Sequence, residues 1–202
     1  MPVRLTDLSP GSTVDDEVIE HDAHEQIRFQ DLAFDGCTFL NLDLASIVIT
    51  RSKFVDCSFR NCNLSNVEWP ECSIRNTTFE SSKLTGSIFS VAEWSSFSAA
   101  SPNRFVECDL SYVNFASAEL GSVLFTRCRL REATFGGTDL VGATFDDCDL
   151  AGTDFLRANI ERCDFTTAYN FSIDPRLVRV RGARFSQHRL AGLVQSFGIE
   201  IE

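Results

Sequence analysis

A large apolar side chain recurs at every fifth residue through most of this 202-residue chain. A period of five matches neither the 3.6-residue period of an α-helix nor the two-residue alternation of a strand, so the chain must wind regularly. The repeats form two runs with a change of phase between them. The first run is Phe29, Phe34, Phe39, Leu44, Ile49, Phe54, Phe59, Leu64, Trp69, Ile74, Phe79, Leu84, Phe89 and Trp94, and the second is Phe105, Leu110, Phe115, Leu120, Phe125, Leu130, Phe135, Leu140, Phe145, Leu150, Phe155, Ile160 and Phe165.

A slower period of twenty residues indicates how the winding closes. Cys108, Cys128 and Cys148 are spaced by twenty, and in the second run phenylalanine alternates strictly with leucine or isoleucine. Alternation suits opposite walls of a four-sided tube, with four repeats per coil. The residue two before each central position is small or apolar, so two side chains per repeat point inward and the other three turn a corner. At a rung spacing of about 4.8 Å, the 27 repeats predict a rod on the order of 32 Å long.

The eight cysteines all lie two residues before a central apolar residue. None forms a pair with zinc-ligand spacing, so we interpret them as small buried side chains rather than a metal site. We expect free thiols, although stacked Cys37 and Cys57 would lie within reach of a disulfide.

Charge and composition narrow the functional classes. The 29 acidic and 18 basic residues give a net charge of −11, which disfavours direct nucleic-acid binding because phosphates would be repelled. No stretch approaches a membrane span and the start of the chain lacks an apolar signal-like run, so we expect a cytoplasmic protein without membrane contact. A packed tube offers no concave catalytic site, and no nucleophile or cofactor motif is present. We therefore predict a protein that is not an enzyme and binds no cofactor or metal.

Outward side chains twenty residues apart should stack on successive coils. Two such columns interpose an arginine between acids and neutralise themselves: Glu107, Arg127 and Asp147, and Asp109, Arg129 and Asp149. A third column lacks a base, and we call it the acidic strip. It consists of Glu119, Asp139 and Asn159, with Glu161 beside it. The strip is either a partner-binding surface or a solvated face that keeps the rod soluble.

The regular pattern fails at three places. Residues 1–24 are acidic and are predicted to be a flexible segment before a solenoid over 25–185. The phase slips near 95–102, and this loop is either a tolerated insertion or a partner contact formed by Ser95, Ser96, Phe97, Ser98, Ala99, Ala100, Ser101 and Pro102. Residues 186–202 predict a short helix capped by Ser186 and then a strand, because an open solenoid end needs a cap. That cap either closes the protomer alone or pairs with a second copy.

Segments such as Cys148-Asp149-Leu150-Ala151-Gly152 and Thr153-Asp154-Phe155-Leu156-Arg157 resemble the pentapeptide-repeat family over about residues 27–168. The resemblance implies an all-β fold, a right-handed quadrilateral β-helix, here with a short C-terminal helix cap. The C-terminal module resembles the one by which pentapeptide-repeat proteins of the Qnr and MfpA type dimerise. Carried over, the homodimer interface would contain Leu190, Leu193, Val194, Phe197, Ile199 and Ile201.

Members of that group mimic DNA and protect type II topoisomerases, DNA gyrase and topoisomerase IV, from quinolones or other poisons. The resemblance therefore implies a topoisomerase partner and a role in antibiotic resistance. The loop near 95–102 is shorter than the loops of the quinolone-protective members, and residues 29–94 show no second insertion. The alternative is a generic structural or protein-interaction scaffold with no topoisomerase partner.

Overall fold

Sixteen parallel strands of two or three residues wind through the part of the chain that the computed structural model describes, residues 3–20, 29–95, 102–194 and 197–199. The strands build a solenoid of about eight turns with one short helix near the C-terminus. The predicted right-handed quadrilateral β-helix is confirmed.

Strands occupy three of the four faces of the solenoid. The first face holds β1 (Thr13–Asp15), β4 (Ala33–Asp35), β7 (Lys53–Val55), β9 (Ser73–Arg75) and β11 (Glu93–Ser95). The second face holds β2 (Val18–Glu20), β5 (Thr38–Leu40), β8 (Ser58–Arg60), β10 (Thr78–Glu80), β12 (Arg104–Val106), β13 (Leu124–Thr126), β14 (Thr144–Asp146), β15 (Asp164–Phe165) and β16 (Arg184–Phe185). The fourth face holds β3 (Phe29–Gln30) and β6 (Ile49–Thr50).

Pairing registers confirm four repeats per coil. Phe39 pairs with Phe59, and Phe105 with Phe125, each twenty residues on. The third face, and the later rungs of the first and fourth, continue as single parallel bridges with the same offset, such as Asp109 with Arg129. Every outward side chain thus lies over the residue one coil before it.

The core consists of stacked rings from two opposite walls. On the second face, the rings of Phe105 and Phe125 lie 5.1 Å apart and 11° from parallel, and on the fourth face those of Phe115 and Phe135 lie 5.2 Å apart at 16°. Across the tube, Phe115 meets Phe125 edge-on at 6.2 Å. Stacked and edge-to-face contacts both suit the charge distribution of aromatic rings. In the second run, leucine and isoleucine fill the first and third faces, as the alternation predicts. Before the insertion the first face also carries Phe34, Phe54 and Trp94.

Most corners are made by a residue with positive φ that lies two positions after the central residue. Twenty-one described non-glycine residues adopt this conformation, with φ between 47° and 61°. At one corner, Val67 N donates to Leu64 O at 3.4 Å with Asn66 at φ 56°, which is the geometry of a type II turn. The left-handed corner is therefore the unit that bends an extended chain into a square.

The predicted boundary at residue 25 is wrong, since the solenoid begins earlier. β1 pairs with β4, and β2 pairs with β5, so residues 13–20 already form the first two sides of a coil. Val14 and Ile19 are buried in phase with Phe29, and Leu5, in a 3-10 helix over Leu5–Asp7, joins the core beneath them. The acidic composition misled the prediction because the acids occupy outward positions.

The C-terminal end follows the predicted order in part. Ser186 Oγ accepts a hydrogen bond from His188 N at 3.3 Å at the start of a 3-10 helix over Gln187–Arg189, and α1 spans Ala191–Val194. Gly192 is buried, and a Cβ there would clash with the Phe171 carbonyl oxygen. Ile199 lies outside any strand, and the rest of the predicted terminal strand falls outside the described residues.

The corner geometry predicts opposite effects for two substitutions at Ser46, an exposed corner with φ 61°. Ser46→Gly should leave the free energy of unfolding unchanged or raised, because glycine tolerates positive φ. Ser46→Val should lower it by about 1–2 kcal/mol, because the branched Cβ clashes in this conformation. Urea unfolding followed by circular dichroism measures both, and equal stability of the two variants would contradict the corner's role.

Candidate protein-interaction site

The first face brings three members of the acidic strip onto successive coils. Glu119 bridges to Asp139, Asp139 to Asn159, and Asn159 to Arg179. Asn159 is 8% exposed and its Nδ2 donates to Asp139 Oδ1 at 3.2 Å. The same Asp139 oxygen accepts from Val141 N at 3.0 Å, which holds the carboxylate in place at the corner.

Glu161 differs from the prediction because its charge is compensated. Arg179 Nε lies 3.7 Å from Glu161 Oε1, so the strip ends in an ion pair. Glu119 and Asp139 form no ion pair with any residue the structure describes. The uncompensated part of the strip is therefore these two carboxylates.

The two other columns are neutralised in part: each arginine pairs with one acid, Asp149 has a different partner, and Asp147 forms no ion pair with a residue the structure describes. Arg127 pairs with Glu107 at 2.7 Å and Arg129 with Asp109 at 3.0 Å, each acid lying one coil earlier. Asp149 instead pairs with Arg131 at 2.6 Å. Burial alone would raise the pKa of Asp149, but hydrogen bonds from Asn170 and Arg131 outweigh it and hold the pKa below its usual value.

The first face is broken between Trp94 and Leu120. β10 pairs with β12 at an offset of 26 residues instead of twenty, so six extra residues lie between β11 and β12. No backbone hydrogen bond between described residues joins 92–95 to 118–122, although regular rungs flank both segments. The slip is therefore an insertion at one corner that opens one face and leaves the other three stacked.

The predicted loop contacts fall only partly within the described residues. Ser95 belongs to β11, and Pro102 is buried, so neither fits a protruding loop. Asn103 anchors the returning chain: its Oδ1 accepts from Thr77 N at 2.8 Å and its Nδ2 donates to Ile74 O at 3.4 Å. Residues 96–101 lie outside the described residues.

Two hollows flank the broken rung. One, of about 580 Å³, lies towards the second face, and the other, of about 420 Å³, lies towards the fourth. Trp94 and Glu119 line both, and Asp139 lines the larger. Trp94 is 6% exposed, and its indole Nε1 has no hydrogen-bond partner among the described residues.

Charge is uneven around the rod at this level. From Glu93 to Gly142, the described outward positions of the first face carry Glu93, Glu119 and Asp139 and no base. The outward positions of the fourth face from Ile88 to Gly137 carry no charge at all. At this level of the rod, the negative potential therefore lies on the first face and not on the fourth.

The C-terminal module presents part of the predicted dimer surface. Leu190, Phe197 and Ile199 are 42%, 47% and 54% exposed, whereas Leu193 packs partly against the core. Val194 is half-buried and Ile201 lies outside the described residues. The guanidinium of Arg176 lies 4.4 Å above the Phe197 ring and fixes that end of the surface.

The inner position two before each central residue is a hydrogen-bonding site, which the sequence analysis missed. Cys163 Sγ donates to Leu140 O at 2.9 Å, and Thr138 Oγ1 donates to Phe115 O at 2.7 Å. All eight cysteines are free and buried. Serine and threonine at the same position were the available signal, because they share only size and a donor with cysteine.

Two family models match the chain. One, described as pentapeptide repeats (8 copies), covers residues 52–90, and one described as a pentapeptide repeat region covers residues 95–155. The chain is a pentapeptide-repeat protein. No curated protein sequence matches it significantly.

Solved structures agree with this pentapeptide-repeat assignment at the level of the fold. One trypsin-treated variant of QnrB1, a plasmid-mediated fluoroquinolone resistance protein, matches with a TM-score of 0.69 at 20% identity, covering 100% of this chain and 98% of that one. A second trypsin-treated variant of QnrB1 matches with a TM-score of 0.68 at 20% identity, covering 96% and 91%.

The described part of this pentapeptide-repeat protein contains neither a cluster of metal-ligating side chains nor a membrane-spanning helix. There, no group of three histidine, cysteine, aspartate or glutamate side chains could hold a metal ion. Within the same residues, no helix is long and apolar enough to span a membrane.

The buried thiols predict a steep alkaline loss of stability. Burial raises the pKa of Cys57 and Cys163 to about 12 and that of Cys72 to about 11, above the unfolded value of 9.0. Their contribution is complete below pH 9 and is lost as the pH rises towards 12, by about 1.4 kcal/mol per pH unit and thiol. Thermal unfolding between pH 7 and 11 should show this loss. A Cys57→Ser, Cys163→Ser double variant keeps the inner hydrogen-bond donors, and its hydroxyls do not ionise in this range, so it should lose less stability as the pH rises. Parallel curves of stability against pH for the native protein and the variant would contradict the account.

Proposed function

We propose that this pentapeptide-repeat protein is a DNA-mimicking binding protein that docks on a type II topoisomerase, DNA gyrase or topoisomerase IV, and protects it from a quinolone or another poison. The observation that carries the proposal is the first face between Glu93 and Gly142, where acids occur without a base on a rod of net charge −11.

Electrostatics supports a protein partner with a basic groove. The regular stacking of the coils places carboxylates on successive rungs, so their electrostatic potentials add along one side of the rod. A groove that binds DNA phosphates attracts such a surface, steers its approach and fixes its orientation. The fourth face carries no charge from Ile88 to Gly137, so it does not add to this attraction at the same level of the rod. The likeness to QnrB1, a plasmid-mediated fluoroquinolone resistance protein, supports the choice of partner.

We propose further that the protein acts as a two-fold homodimer through the C-terminal module. The exposed side chains of Leu190, Phe197 and Ile199 lie at the end of the rod, where burial against a second copy would remove apolar surface from water. A dimer joined there would double the length of the acidic surface.

A supercoiling assay with purified gyrase, with and without a quinolone, tests the proposed partner. Micromolar protein should restore supercoiling in the presence of the drug or inhibit it in its absence. Glu119→Lys with Asp139→Lys should raise the protein concentration needed for either effect about tenfold or more, because two attractive charges become repulsive. Glu132→Lys with Asp154→Lys is the matched control, since it makes the same charge change on the third and fourth faces.

The outcomes separate two interpretations. No effect of the native protein on gyrase, alone or with the drug, would favour the alternative of a scaffold with no topoisomerase partner. Equal weakening by both double variants would remove the acidic strip from the binding surface.

The dimer makes a separate prediction. Leu190→Asp with Phe197→Asp should convert the dimer to a monomer, because it places charges in an apolar interface. Sedimentation equilibrium measures the mass. Leu156→Asp, at an exposed leucine on the fourth face, should leave the dimer intact. A monomeric native protein would contradict the proposal.

A further inference from the structure

We infer that the break in the first face is a binding site for an arginine side chain of a protein partner. The inference rests on the proposed function only in that a protein supplies the arginine, and it names the chemistry by which this face would recognise that protein.

The larger hollow at the break is the binding volume. It measures about 580 Å³ and is lined by Trp94, Asn103, Glu119, Leu120, Ser122 and Asp139 among others. An arginine side chain is far smaller than this volume, so it enters without displacing the core. The two carboxylates without ion pairs stand at the same hollow.

Several acids elsewhere on the rod are neutralised by a repeated arrangement that is missing here. An arginine one coil later pairs with an acid twenty residues before it in four places: Arg51 with Asp31 at 2.7 Å, Arg127 with Glu107 at 2.7 Å, Arg129 with Asp109 at 3.0 Å and Arg184 with Asp164 at 3.1 Å. The residue twenty after Glu119 is Asp139, and the residue twenty after Asp139 is Asn159. The position that an arginine fills elsewhere is thus filled by a second acid and an amide.

The backbone at the break adds a further acceptor. In a regular rung of this face, Ala118 O accepts from Asp139 N at 3.0 Å. The Ala92 carbonyl holds the corresponding place one coil earlier and accepts from no described N–H of the next rung. Ala92 lines the smaller hollow, which shares Trp94 and Glu119 with the larger one. A group rich in donors and without acceptors suits carboxylates and a carbonyl together. Arginine provides five N–H donors in a planar fork, whereas lysine provides a compact charge with three.

The experiment uses the full-length ¹⁵N-labelled protein and the capped peptide acetyl-Gly-Arg-Gly-amide, with acetyl-Gly-Lys-Gly-amide as the comparison. Up to about 10 mM arginine peptide should shift the amide signals of Gly121, Ser122 and Val141 and the Trp94 indole signal in a saturable manner. The lysine peptide should bind less tightly.

Isosteric variants test the acceptors. Glu119→Gln with Asp139→Asn should raise the Kd of the arginine peptide about tenfold, because charge-assisted hydrogen bonds are lost while the corner bond to Val141 can be retained. Glu132→Gln with Asp154→Asn makes the same charge change elsewhere and should change the Kd by less than about twofold.

Three results would overturn the inference: shifts spread evenly along the rod, equal affinity for the two peptides, or equal loss in both double variants. The gyrase assay tests the proposed partner separately from the arginine site. Peptide binding at the break by a protein that does not affect gyrase would refute the proposed partner and leave the arginine site standing. Conversely, a protein that binds gyrase but shows no shift at Gly121, Ser122 and Val141 with the arginine peptide would refute the arginine site and leave the proposed partner standing.

Discussion

The structure depends on the hydrogen-bonded spacing between parallel rungs, which brings each residue over the one twenty positions earlier. Phenylalanine lies on phenylalanine at ring distances such as 5.1 Å, and an inner hydroxyl or thiol reaches a carbonyl of the previous coil. Because these contacts join neighbouring coils and none spans the whole rod, stability is distributed along the axis. The same spacing orders the surface, so a column of outward residues acts as one electrostatic unit.

Only a few positions in such a structure can accommodate an insertion. Extra residues within a rung would shift every later side chain off its partner, so they must leave and return at a corner. The insertion of six extra residues between β11 and β12 fits this rule, because Phe79 still pairs with Phe105 while the first face loses its ladder between Trp94 and Leu120. The opening and the two hollows therefore share one cause. Glu119 and Asp139 lack ion pairs for another reason, since the residues twenty positions after them are Asp139 and Asn159. A regular tube has no concave site, and the insertion creates one.

The fold was largely predictable from the five- and twenty-residue periods, because a solenoid repeats one local rule. The first coil was missed because His24 stands where the five-residue period requires an apolar residue, although Val14 and Ile19 are in phase with Phe29. The strip was predicted from columns of twenty, but long side chains also reach diagonally. Arg131 pairs with Asp149 and Arg179 with Glu161, each eighteen residues apart, and this changed the charge assigned to Glu161. The hollows could not be predicted, because a change of phase in the sequence does not say which face opens.

The central claim is that function lies on the first face at its break and on the rungs that follow it. Hydrogen–deuterium exchange of the full chain, free and bound to gyrase, tests this most directly. The account predicts slower exchange on binding at residues 118–123 and 139–142, with little change at 134–137 on the fourth face. Protection confined to the fourth face, or the absence of any protection in a complex shown to form, would contradict it.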